Sequence, residues 1–285
     1  MIHLTALLGV LGISFSAVFV RLADVSAVTA ALYRGLYAVP ILAAIVAVTS
    51  GHRGRPPRAH LLAFVSGVIL ALDLAFWHVS IAMIGAGLAT VIANVQVVFV
   101  AVAAWAFHGE RPGGRTVAVV AIVLAGLTLT SGLARVDAYG SSPILGVVLG
   151  TLAGACYAGY LLTFRAANRS LAPTPGPLLE STLGVVAGAL LVAPLDARFS
   201  FAPHFPAHAW LMVLALVAQV MGWLLIATAL PRLPAVETSI LLLGQPVFAL
   251  IWGVLVFGER LSPLQWGGAA VVLVGVAAAA RPSAG

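Results

Sequence analysis

Ten apolar runs, each close to the length of a membrane span, follow one another along this chain. They lie at about 2–20, 28–48, 61–80, 85–107, 116–133, 143–164, 177–194, 208–230, 234–256 and 263–280. A helix rises about 1.5 Å per residue, so about 20 apolar residues cross the hydrocarbon of a bilayer. Lipid offers the backbone no hydrogen-bond partner, and a helix closes its bonds within one segment. Barrel strands would alternate in polarity, whereas these runs are apolar all round. The breaks carry turn chemistry: Gly54-Arg55-Pro56-Pro57, Pro112-Gly113-Gly114, Gly140-Ser141-Ser142-Pro143 and Pro173-Thr174-Pro175-Gly176. The predicted fold class is an all-α membrane protein of about ten transmembrane helices. Composition agrees: 62% of residues are hydrophobic and 8% charged, against about 25% charged in a soluble domain. The 285 residues leave no room for a separate soluble domain.

The few charges report orientation. The net charge is +6, there is no Lys, and the Arg residues are scattered through short loops, so a nucleic-acid partner is not expected. With the N-terminus in the cytoplasm, that side carries Arg53, Arg55, Arg58, Arg111, Arg115, Arg165, Arg169, Arg232 and Arg281. The outer side carries Arg21, Arg135, Arg198 and Arg260. This bias places both termini inside, in a multi-pass protein of the cell inner (plasma) membrane. Cys156 is the single cysteine, which excludes a disulfide or a Cys-based metal site within the chain. The first run has no basic segment before it, so it is expected to be a span and not a cleaved signal.

The chain also repeats itself. Val97-Val98-Phe99 and Gly109-Glu110-Arg111 line up with Pro246-Val247-Phe248 and Gly258-Glu259-Arg260. Gln96 and Gln245, Glu110 and Glu259, and Gly126 and Gly275 are each separated by 149 positions. Residues 1–137 and 138–285 therefore read as two five-helix copies. An odd number of spans makes the second copy enter from the opposite face, the ground plan of many secondary transporters.

The paired Gly-Glu-Arg segments, Arg34 early in span two and the five-plus-five layout resemble EamA-type transporters of the drug/metabolite transporter superfamily. Within it, the layout is similar to that of YddG-type exporters of aromatic and other amino acids. The resemblance covers nearly the whole chain. It implies ten helices around a central cavity, alternating access and a substrate exported from the cytoplasm.

Polar side chains inside a membrane are costly, which makes them functional candidates. In span three, Ser66, Asp73, Trp77 and Ser80 share one helix face, with His78 beside it. Span four offers Thr90, Asn94 and Trp105 on one stripe, together with Gln96. Span six offers Tyr157, Tyr160 and Phe164, and span eight Gln219 and Trp223. Span nine offers Thr238, Gln245 and Trp252 at seven-residue steps. The candidate substrate-binding set is Trp77, His78, Asn94, Gln96, Tyr157, Tyr160, Trp223, Gln245 and Trp252. Rings would contact an apolar side chain and amides would orient a zwitterion. Each has a plainer reading in helix packing, and Trp105, Trp210 and Trp266 read as interfacial belt residues. Asp73 and Arg34 lie at similar depth in adjacent spans, about 10 Å inside the outer boundary. They read either as a structural ion pair or, with His78, as the coupling residues that take up a proton during transport. Glu180 and Glu237 lie near the starts of their spans, where the helix dipole favours carboxylates. Glu110 and Glu259 read as turn or salt-bridge residues. Gly146, Gly150, Gly154 and Ala158 form a small-residue ridge, as do Gly184 and Gly188. Gly85, Gly87 and Pro246 are candidate hinges.

The expected function is a secondary transporter exporting small neutral or zwitterionic metabolites, amino acids including aromatic ones. The alternative is a carrier of nucleotide sugars or sugar phosphates, but phosphate binding would call for several basic residues within the spans. No His-Glu-x-x-His, Cys nucleophile or clustered intramembrane carboxylates occur, so an enzyme is not expected. No cofactor and no catalytic metal are expected. The expected partners are a small-molecule substrate and the lipid bilayer, and a monomeric state is expected. The topology has a direct test: a cysteine at Ser283, in a Cys156→Ser background, should react with an impermeant maleimide from the cytoplasmic side. Labelling from the outside alone would overturn the orientation.

Overall fold

The computed structural model describes residues 1–49, 54–109, 111–130, 142–168 and 175–279. Arg53, Glu110, Arg135, Gly140, Ser141, Arg169, Pro173, Thr174, Arg281 and Ser283 lie outside the described residues. The described chain contains ten apolar spans. Span one comprises Ile2–Ser14 and Ser16–Ala23, span two is Ala27–Thr49 and span three Pro57–Ile84. Span four comprises Ala86–Ala93 and Gln96–His108, and span five is Gly114–Thr130. Span six is Pro143–Ala167, and span seven is Gly176–Val192 with a 3₁₀ turn at Ala193–Leu195. Span eight runs from Phe205 to Arg232, span nine comprises Ala235–Leu242 and Gly244–Phe257, and span ten is Pro263–Ala279. Eight of the ten are long enough to cross a membrane by length and composition, and spans five and ten are shorter apolar helices.

The repeat is visible in where helices start and stop. Ala27 and Gly176, Ala86 and Ala235, Gly114 and Pro263, and Thr130 and Ala279 occupy corresponding helix ends, each pair 149 positions apart. The Gly-Glu-Arg tripeptides have a structural meaning here. Gly109 and Gly258 end spans four and nine in the left-handed conformation, with φ of 69° and 66°. That backbone shape satisfies terminal carbonyls and strains any residue with a Cβ. Gly85, with φ of 80°, is the single residue connecting spans three and four.

The chain divides into two compact units. One joins Met1–Ala75 to Gly159–Arg232, the other Phe76–Ala158 to Leu233–Gly285. The division passes through spans three and six.

In the first unit, glycines bring backbones together. A Cβ on Gly67 would run into the Ser181 carbonyl, and one on Gly184 into the Phe64 carbonyl. A Cβ on Gly12 would lie 3.2 Å from Cα of Gly222. Between helices in lipid the hydrophobic effect supplies little, so such close packing carries association. This unit also holds a buried ion pair. Arg55 Nη1 donates to both carboxylate oxygens of Glu180 at 2.7 Å, and Nη2 donates to the carbonyls of Ala59 and Ala167. His60 Nδ1 lies 2.6 Å from Glu180 Oε1. The helix dipole is thus not what supports Glu180. The residue lies beyond the first turn of its helix, and the guanidinium compensates its burial.

In the second unit, Gly126 and Gly268 face each other, and an added Cβ on each would approach the other's carbonyl at 2.9 and 2.6 Å. Gly275 packs likewise on Val123. The ridge on span six packs as the spacing predicts: Gly146 against Ile84, Gly150 against Ser80 and Ile92, Gly154 against Ala93. Ser80 Oγ donates to the Gly146 carbonyl at 2.8 Å. Trp105 and Trp266 are exposed near span ends, as belt residues would be.

Removing one partner of a buried pair strands the other charge, which costs about 3–5 kcal/mol. Arg55→Ala should therefore lower thermal stability of the purified protein sharply, and Arg55→Lys less. A melting temperature unchanged in Arg55→Ala would show that the pair contributes nothing.

Candidate functional site

The first unit contains a polar relay across three spans. Arg34, half-buried on span two, donates from Nε to Gln219 Oε1 of span eight at 2.6 Å. Gln219 Nε2 donates to Thr182 Oγ1 of span seven at 2.9 Å. Thr182 spends its own proton on the Leu178 carbonyl at 2.7 Å. Because Oε1 accepts from Arg34 and Nε2 donates to Thr182, the Gln219 amide can point only one way. Gln219 and Thr182 are buried. Gln219 lies in a π-helical stretch, Ala215–Gly222, inside span eight. Such insertions shift side chains around the helix and occur frequently at functional sites.

Asp73 belongs to the same unit and is buried. The Arg34 Nε donates to Gln219 and not to Asp73. Tyr160 and Trp223 are also in this unit and are fully buried. Tyr160 stacks on Phe164 at a centroid distance of 5.6 Å, and Trp223 meets Tyr160 edge-on at 5.1 Å. In this conformation they form an aromatic core. Near the start of span eight, His208 Nδ1 lies 2.5 Å from the Tyr37 hydroxyl.

The second unit holds Trp77, His78, Asn94, Gln96, Tyr157, Gln245 and Trp252. Trp77 and His78 meet edge-to-face at 5.0 Å. Span four is interrupted at Asn94 and Val95, where amides bond three residues back: Val95 to Ile92, Val97 to Asn94 and Val98 to Val95. Asn94 Nδ2 closes the first half on the Thr90 carbonyl at 2.7 Å. Span nine is interrupted at Leu243, 149 positions on, and Pro246 follows. Gln96 is the first residue and Gln245 the second of the second halves of these broken helices. Gln96 is buried, with a long 3.5 Å bond from Nε2 to the Ser239 carbonyl and, among the described residues, no partner for Oε1. Gln245, Trp252 and Tyr157 are half-buried.

The profile of the EamA-like transporter family matches the chain twice, at residues 1–132 and 144–281. The chain belongs to the EamA-like transporter family. It is 28% identical over 223 residues to the uncharacterized transporter YwfM of Bacillus subtilis strain 168, covering 75% of this chain and 71% of that one. It is 28% identical over 178 residues to an uncharacterized protein of Pseudomonas aeruginosa, covering 62% of this chain and 59% of that one. One solved crystal structure superposes with a TM-score of 0.78 over 98% of this chain and 96% of that chain, at 19% identity, which shows a shared fold. As an EamA-family member, the chain is a membrane transporter of small substrates.

Sequence reasoning set Gln219 beside Trp223 but did not connect it to Arg34, and it passed over Thr182, Tyr37 and His208. An amide in an apolar span was the available signal for Gln219. Thr182 and Tyr37 carried none, since both fit a packing face. The unpartnered Gln96 Oε1 gives a test. Leu fills similar volume and removes a buried acceptor that lacks a bond, so Gln96→Leu should keep or raise stability by about 1 kcal/mol. It should nevertheless lower transport. A destabilised variant with intact transport would make Gln96 a structural residue.

Proposed function

We propose that this EamA-family transporter resides in the cell inner membrane with both termini cytoplasmic. It exports small neutral or zwitterionic metabolites, amino acids including aromatic ones, by alternating access. The observation that carries this reading is the kind of polar group found inside the spans. Arg34 is the one cation deep within a span, and its Nε is held by a neutral amide. Asn94, Gln96 and Gln245 add amides at helix breaks, and Trp77 and Trp252 add half-buried indoles. Groups of these kinds within spans suit a substrate with one carboxylate, hydrogen-bonding groups and an apolar side chain. Asp73 is the coupling carboxylate in this reading, buried in the same unit as Arg34 and taking up a proton as the transporter changes conformation.

The test is counterflow in proteoliposomes. Vesicles preloaded with unlabelled L-phenylalanine should accumulate labelled L-phenylalanine saturably above protein-free vesicles, and a panel of other amino acids should compete. An imposed pH gradient should drive net movement in wild type. Asp73→Asn should still exchange substrate but ignore the gradient. Absence of counterflow with every amino acid would overturn the amino-acid reading. Wild-type transport indifferent to the gradient would return Asp73 to a structural role.

A further inference from the structure

We infer that Gln96 is the subsite for the ammonium group of the substrate, with its Oε1 as the accepting atom. This subsite rests on the transport reading above and assigns one end of the zwitterion to one residue.

Gln96 lies ten residues into span four, about 15 Å along the helix from Ala86. That is about half the thickness of the hydrocarbon, the depth at which carriers built from inverted repeats hold their substrates. Span four is interrupted beside it at Asn94 and Val95, and span nine is interrupted at Leu243. The side chain is buried, with a relative exposure of 1%.

The interruption in span nine explains how the carboxamide is held. The Leu243 N–H bonds to the Ile240 carbonyl at 3.0 Å, one residue short of Ser239, the regular helical acceptor. Gln96 Nε2 donates to the Ser239 carbonyl from span four, at 3.5 Å. The first copy serves its own carbonyl. There the counterpart of Ser239 is Thr90, 149 positions earlier, and the Thr90 carbonyl accepts both the Asn94 N–H at 3.0 Å and Asn94 Nδ2 at 2.7 Å. In the second copy the position of that asparagine is taken by Leu243, which has no amide to give. Gln96 supplies it instead, and this fixes which way its carboxamide points. Reversed, it would set Oε1 against the Ser239 carbonyl, two acceptors with no proton between them.

With Nε2 committed, Oε1 is a buried acceptor without a partner among the described residues. Such atoms are rare in folded proteins, and this one calls for a donor from outside the chain, a water or a ligand. An amide oxygen only accepts. Of the two ends of a zwitterion it repels the carboxylate and suits the ammonium, whose three N–H groups serve several acceptors at once. The Ser239 carbonyl beside it has a second lone pair and adds another acceptor. A substrate without the amine leaves Oε1 unpaired again, and that difference is the source of discrimination.

The test uses the purified full-length chain and three probes. L-Phenylalanine carries ammonium and carboxylate, 3-phenylpropanoate lacks the ammonium, and phenethylamine lacks the carboxylate. Ligand-dependent thermal stabilisation gives an apparent Kd for each. Wild type should bind L-phenylalanine more tightly than 3-phenylpropanoate. Gln96→Leu should weaken L-phenylalanine and phenethylamine roughly 10- to 100-fold, the range expected for a hydrogen bond to a charged group, and change 3-phenylpropanoate by less than about twofold. Gln96→Met should do the same, and it decides the matter if Gln96→Leu does not fold. Gln96→Glu keeps an acceptor in place and should keep the preference for the amine. Amine-probe affinities unchanged in the apolar variants would mean that a water serves Oε1, and the subsite would be overturned. Equal weakening of all three probes would overturn it too, by giving Gln96 a general role in the fold, as would wild type unresponsive to both amines. Phenethylamine binding that depends on Gln96, without L-phenylalanine binding, would keep the subsite and refute the amino-acid reading. L-Phenylalanine counterflow at wild-type rates in Gln96→Leu would keep the amino-acid reading and refute the subsite.

Discussion

A peptide group in hydrocarbon has no solvent to bond to, and the architecture of this chain follows from that deficit. Each apolar segment closes its own hydrogen bonds as helix, and wherever a helix is interrupted a local substitute appears. At Asn94 and Val95 the backbone turns to three-residue bonds, with the Asn94 side chain capping the first half. At Leu243 the same bonding recurs. In span eight the substitute is a π-helical stretch. Four amide side chains lie at or beside these interruptions: Asn94, Gln96, Gln245 and Gln219. At Asn94 the amide itself bonds to the Thr90 carbonyl of the turn that ends at the interruption.

Packing answers to the same solvent. Burying an apolar side chain against another helix gains little over leaving it in lipid, so cohesion depends on close approach. Gly67 and Gly184 remove the Cβ atoms that would hold spans three and seven apart. In spans five and ten, Gly126 meets Gly268. The 149-residue shift carries Val119 onto Gly268 and Gly126 onto Gly275, and Gly275 lies over Val119 and Val123. One contact thus occurs twice in reversed roles, as two copies of a sequence would produce by packing on each other.

Two arginines of the first unit are held in different ways. Arg55 donates to both oxygens of a buried carboxylate beside a histidine and two carbonyls, an arrangement that ties chain segments together. Arg34 has an amide at its Nε and retains an exposed portion.

Much of this was legible along the chain. The length and uniform polarity of the runs determined the ten spans, because crossing hydrocarbon demands a fixed length of apolar helix. The paired Gly-Glu-Arg tripeptides marked helix ends, because only glycine takes the left-handed cap without strain. The ridge Gly146, Gly150 and Gly154 announced a close contact through its spacing. The sequence also singled out Arg34 and Asp73 by their depth and read them as a pair. Tertiary structure alone joined Arg34 to Gln219, 185 positions away, and Arg55 to Glu180, 125 positions away. It alone packed Tyr160 and Trp223 into a core. Periodicity assigns a residue to a face of its own helix, but a polar partner is chosen by which faces meet and at what height. That depends on the packing of all the spans together, which no local pattern encodes.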